Sequence, residues 1–163
     1  MAEDSPCTLT EKFTLWEKLY AQLSFTTMGI AGTVGIILAD WIWVIPYIFV
    51  YWYGILGVVM KHLSCPRCPH YWEFNDCLQF PMIFTRKIVK QQKKYPFSTF
   101  EKILFHFIFI AIPIYPIYWL VPNILLLSIF LVCAVMWYSG QFLYFCKRCR
   151  NTECPYNLVP IKF

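Results

Sequence analysis

The sequence predicts an all-α integral membrane protein. Four transmembrane helices are expected, as two tandem-duplicated hairpins, with both termini, a Cys-rich loop and a Cys-rich tail in the cytoplasm. Three observations carry this: a composition too apolar for a small soluble domain, two apolar blocks each long enough for two crossings, and the absence of Lys and Arg from the turns between crossings.

The 163 residues are 59% hydrophobic and 14% charged, which leaves too little polar surface to cover a soluble fold, so lipid is the main solvent expected. The formal charge of +5 would suit nucleic acid only on a water-facing fold. Here the basic residues sit between apolar runs, and no nucleic-acid partner is expected. The N-terminus opens with Glu3 and Asp4, and the first apolar run lacks a basic n-region and a small-x-small cleavage site. The first span is therefore expected to stay in the mature protein.

The first apolar block runs from Leu19 to Met60 and is broken only by Asp40; the second runs from Ile103 to Phe145, with Pro122-Asn123 near its middle. About 20 apolar residues cross about 30 Å of hydrocarbon. A single helix over either block would be about 60 Å long, so each block is read as a hairpin, about 19–60 and about 103–145, with a very short turn. Trp41, Trp43 and Tyr47 flank the first turn, and Tyr115, Tyr118 and Trp119 the second, as in an aromatic belt at headgroup level. Asp40 is expected to cap the second span. Thr27, Ala31, Gly35 and Ala39 form a small-residue stripe that lets another helix approach closely, and Pro113 and Pro116 are expected to kink the third span.

Orientation follows from the basic residues. Lys12 and Lys18 precede the first span, eight Lys and Arg from Lys61 to Lys102 lie between the hairpins, and Lys147, Arg148, Arg150 and Lys162 follow the last. The positive-inside rule then puts both termini and the middle loop in the cytoplasm of a multi-pass protein of the cytoplasmic membrane.

The two halves share a layout. Thr14-Leu15-Trp16-Glu17-Lys18 leads into the first span and Ser98-Thr99-Phe100-Glu101-Lys102 into the third, 84 residues apart. Each hairpin is followed by a C-x-R-C pair, Cys65-Pro66-Arg67-Cys68 and Cys146-Lys147-Arg148-Cys149, 81 residues apart, and then by a third cysteine, Cys77 or Cys154. Recurrence in the same order points to a duplication, with repeats at 1–97 and 98–163. An even number of spans per repeat keeps both copies in one orientation about an axis along the membrane normal.

Cysteine pairs of this spacing in a reducing compartment point to metal rather than disulfides. The candidate ligands are Cys65, Cys68, Cys77, Cys146, Cys149 and Cys154, with His70 as a possible addition. Arg67, Lys147, Arg148 and Arg150 are expected to favour the thiolates. The candidates for cofactor are zinc and an iron–sulfur cluster, for which Cys68-Pro69 and Cys154-Pro155 are suggestive. No glycine follows the second cysteine of either pair, which disfavours a standard zinc knuckle. Haem between His62 and His106 is disfavoured, since a lone interfacial His more often meets a headgroup or carbonyl. Cys133 is expected to fill apolar space, and Cys7 stands alone.

Arg86, Lys87, Lys90, Lys93 and Lys94 are expected on a short surface helix that attracts anionic lipid. No paired carboxylates, nucleophile–base set or phosphate-binding glycine loop is present. The expectation is a non-catalytic membrane subunit carrying zinc or an iron–sulfur cluster within a larger redox complex, with other membrane or cytoplasmic subunits as partners. A non-redox adaptor or assembly factor with structural zinc is the alternative.

Overall fold

The computed structural model describes residues 9–93, 95–151 and 154–157, excepting the side chains at 50, 52, 56, 57 and 60, and is all-helical over them. Glu3, Asp4, Cys7, Lys94 and Lys162 lie outside the described residues. Three helical stretches are long and apolar enough to cross a membrane: Leu15–Ile55, Thr99–Leu120 and Ile124–Arg148.

Helix α1 (Leu15–Asp40) starts at a capping box. The Glu17 amide donates to Thr14 Oγ1 at 3.3 Å, and the Thr14 amide donates to Glu17 Oε2 at 2.7 Å. Asp40 turns the backbone out of the helix, and its Oδ1 accepts from the Ile42 amide at 3.2 Å to cap a single 3-10 turn, Trp41–Trp43. Helix α2 (Val44–Ile48) then continues as a wider π-helical stretch, Phe49–Ser64. It runs back along α1: the Tyr51 hydroxyl donates to Phe25 O at 2.7 Å, and the two rings stack at 5.1 Å. The stretch Leu15–Ile55 is thus broken at Asp40.

Glycine makes this pairing possible. A Cβ at Gly29 would lie 2.6 Å from the Tyr51 hydroxyl, and one at Gly32 would lie 2.6 Å from the Tyr47 hydroxyl. The expected stripe is corrected here. Thr27 and Ala39 are exposed, whereas Gly29, Gly32 and Gly35 face their neighbours with Ala31. The row of close approach is offset because Tyr47 and Tyr51 need the glycines.

Two short helices, α3 (Pro69–Trp72) and α4 (Met82–Ile88), follow. Helix α4 lies earlier than the basic run predicted, ending where Val89 turns extended and buried, with its carbonyl accepting from the Tyr71 hydroxyl at 2.8 Å. Lys90 and Lys93 therefore follow a helix instead of riding on one.

Helix α5 (Thr99–Leu120) opens on a second capping box, Ser98 with Glu101, and passes without interruption over Pro113 and Pro116. Such boxes contribute about 1 kcal/mol each. Asn123 Oδ1 accepts from the Leu126 amide at 3.2 Å and starts α6 (Ile124–Ser139), which ends in a π-helical stretch, Gly140–Phe145. Helices α1 and α5 lie side by side: a Cβ at Gly32 would meet Pro116 Cβ at 3.3 Å, and one at Gly35 would clash with Leu120. Stacked Trp43 and Trp119, 5.2 Å apart, join the two hairpin turns.

Both returning helices finish alike. The π-helical stretch gives way to a 3-10 turn, Cys65–Arg67 or Cys146–Arg148. The backbone then becomes extended at Cys68 (φ −80°, ψ 116°) and Cys149 (φ −81°, ψ 130°).

Candidate functional site

The matching exits bring both cysteine motifs to one end of the helices. A cavity of about 210 Å³ is lined there by Cys65, Cys68, Cys77, Cys146, Cys149 and Cys154, with His70 in the same wall. Ser64, Gln79, Gln141, Phe109 and Trp137 complete much of the lining. The sequence named every sulfur in this set.

The thiols surround a space and do not converge on a point. Among the described residues, no three His, Cys, Asp or Glu side chains are grouped closely enough to hold one metal ion. Cys65 and Cys77 are hydrogen-bonded to each other, Cys149 and Cys77 act electrostatically on Cys68, and Cys154 and Cys149 lie near enough to Cys146 to act on it. Cys68 and Cys149 occupy equivalent places in the two motifs.

His70, on α3, is 2% exposed. Its Nδ1 lies 3.1 Å from Glu11 O, a group that only accepts, so Nδ1 carries the proton. Nε2, the ring's accepting nitrogen, takes a hydrogen bond from the Cys149 thiol, with Sγ 3.8 Å away at the cavity wall. Burial holds the ring's pKa below its ordinary value, so the imidazole is neutral. The backbone carbonyl on Nδ1 fixes the tautomer and orients Nε2 toward the Cys149 thiol.

Two buried polar atoms of the lining, Ser64 Oγ and Gln79 Nε2, have no hydrogen-bond partner. The other end of the Gln79 amide is engaged, with Oε1 accepting from Trp137 Nε1 at 3.1 Å and Gln141 Nε2 at 3.4 Å. Buried polar groups are seldom left unpaired, and these two offer donors at the cavity wall.

The electrostatics differ from expectation. Arg67, Arg148 and Arg150 do not serve the thiols; they pair with Glu101, Glu17 and Glu11. Burial pushes Cys68 up to about 12 and Cys154 up to about 11, and raises Cys149. Cys65 is raised because it hydrogen-bonds Cys77 and is buried, whereas Cys77, accepting that bond, is lowered. A guanidinium pairs with an ionised carboxylate in preference to a neutral thiol, whether buried, as at Arg67, or partly exposed, as at Arg148 and Arg150.

The segment before α1 closes the site. The Thr10 amide donates to Arg148 O at 2.9 Å, and the Phe13 amide to Asp76 Oδ2 at 2.7 Å. The Phe13 ring lies 4.8 Å from the His70 ring, and Asp76 also pairs with Lys18.

The chain matches no protein-family model, no curated protein and no solved structure. The cavity gathers six thiols and one imidazole in a largely apolar chamber whose wall carries two unpaired polar groups, Ser64 Oγ and Gln79 Nε2. Sequence reasoning missed Ser64, Gln79 and Gln141. Gln141 carried a usable signal, as an uncharged polar side chain inside an apolar block.

Proposed function

We propose that this chain is a four-span membrane protein, duplicated as 1–97 and 98–163, that holds an iron–sulfur cluster at its cytoplasmic face. It serves as an electron-transfer or accessory subunit of a membrane redox complex. One observation carries the reading: six thiols from both halves line one cavity. Thiolates on a single zinc, each about 2.3 Å from it, stand within about 4 Å of one another. A polynuclear cluster spreads its ligands around a volume. The donors at Ser64 and Gln79 fit the same occupant, since hydrogen bonds to cluster sulfur tune its potential. When bound, the cluster supplies one-electron chemistry; the chain's part is to hold it, dry it and set its charge environment.

The duplication draws support from matching capping boxes, matching helix exits, and Arg–Glu pairs that cross between the halves in both directions. Equivalent residues Gly32 and Pro116, and Cys68 and Cys149, lie near each other, as residues beside a twofold axis must. With both termini and the middle loop cytoplasmic, the cavity lies within reach of a soluble donor and of a membrane carrier such as a quinone.

Replacing Cys65 or Cys146 with Ser tests this. Both variants should lose the same centre, seen as loss of iron and of visible absorbance that bleaches on reduction. Unchanged metal in both variants removes the reading.

A specific observation favours a second reading, a colourless structural zinc site in a non-redox adaptor. The 3.8 Å approach of Cys149 Sγ to an oriented His70 Nε2 resembles mixed Cys–His zinc ligation. Zinc without sulfide would select it.

A further inference from the structure

A second cavity has no cysteine among its described lining residues. It measures about 630 Å³ and is lined by Lys61, His62, Lys87, Lys90 and Lys93 with Pro66, Ile88 and Gln91, and no carboxylate is among them. The geometry points to a binding site here for the phosphate of an anionic phospholipid headgroup, held chiefly by Lys61, Lys87 and Lys90.

Lys61 comes from the last turns of the helical stretch Phe49–Ser64, so it stands where that apolar helix ends. Lys87 comes from α4 and Lys90 from just beyond it. Lys61, Lys87 and Lys90 are exposed, and no described carboxylate pairs with them. Lys93 is already occupied, donating to His62 O at 2.9 Å and pairing with Glu101 at 3.5 Å. Arg86, of the same basic run, is outside the site: it donates to Asn75 Oδ1 at 2.6 Å. The structure therefore divides a charge run that sequence alone treats as uniform, and adds Lys61 from another element.

Apolar neighbours select a lipid over free phosphate. Ile83, on α4, is 80% exposed and Phe84 beside it 40%, an arrangement suited to an interfacial helix whose apolar side chains enter the acyl boundary. Lysines near a membrane surface each attract anionic lipid by an amount that together makes about a hundredfold in affinity for three.

The test uses full-length protein in a zwitterionic detergent, titrated with short-chain phosphatidylglycerol, short-chain phosphatidylcholine or inorganic phosphate, and follows the melting temperature. Phosphatidylglycerol should raise the melting temperature where phosphatidylcholine and inorganic phosphate do not. The variant Lys61→Gln/Lys87→Gln/Lys90→Gln should weaken that response about a hundredfold, Lys61→Gln alone in part, and Arg86→Gln should leave it intact. An equal response to phosphatidylcholine, a full response to inorganic phosphate, or equal loss in Arg86→Gln would overturn the proposal. Metal content does not enter the readout, so this result stands apart from the cluster reading.

Discussion

Arg67 Nη2 donates to both carboxylate oxygens of Glu101, at 3.0 and 2.9 Å, joining the first cysteine motif to the start of the third long helix. Arg148, in the second motif, pairs with Glu17 at the start of the first, at 3.2 Å. Each Glu is also the reciprocal partner in its helix's capping box. One carboxylate thus fixes a helix start and a cysteine loop together.

The two pairs should differ in weight. The Arg67 side chain is 1% exposed and also lies over the Phe97 ring at 4.5 Å, whereas the Arg148 side chain is 36% exposed. Stranding a buried guanidinium costs about 3 kcal/mol or more, and losing a half-exposed pair about 1 kcal/mol or less. Glu101→Gln should therefore lower denaturant stability clearly more than Glu17→Gln. Equal losses would show that the carbonyls of Tyr95, His62 and Leu63, which Arg67 also bonds, suffice to hold the guanidinium without the Glu101 charge.

Helix packing gives a second contrast. A Cβ at Gly35 would lie 2.1 Å from Leu120 Cδ2, and Leu120 is fully buried, while at Gly54 the nearest neighbour is Ile108 Cγ2 at 3.7 Å. Gly35→Ala should cost about 1–3 kcal/mol by overpacking, and Gly54→Ala should be neutral or stabilising. Thermal unfolding of both variants checks this.

Much of this was legible in the chain. The all-helical character, the helices apolar enough to cross a membrane, and the breaks at Asp40 and Pro122-Asn123 follow from hydropathy and local cap chemistry. The partners of Arg67 and Arg148 were not legible, because they join residues 34 and 131 positions apart. Nor was the offset of the glycine row, which depends on where Tyr47 and Tyr51 lie against α1. The Gln79–Trp137–Gln141 cluster needed the middle loop folded under the helix ends.

Alkaline pH should weaken the metal-free fold. An unfolded thiol titrates near 8.5, but Cys65, Cys68, Cys149 and Cys154 are raised above their ordinary value in the fold. Their contribution is fully present below about pH 8.5 and is lost as pH rises toward the folded values, because unfolding then releases protons. Cys77 is shifted the opposite way, and its contribution is lost only as pH falls. The melting temperature of chelator-treated protein should fall between about pH 8.5 and 11; a flat or rising profile would show that these thiols are not buried as described.

The most direct test is the iron, zinc and acid-labile sulfide content per chain of anaerobically purified protein, with its visible spectrum. Iron with matching sulfide and absorbance that bleaches on reduction is expected. Zinc without sulfide, or no metal at all, would contradict the proposed cluster.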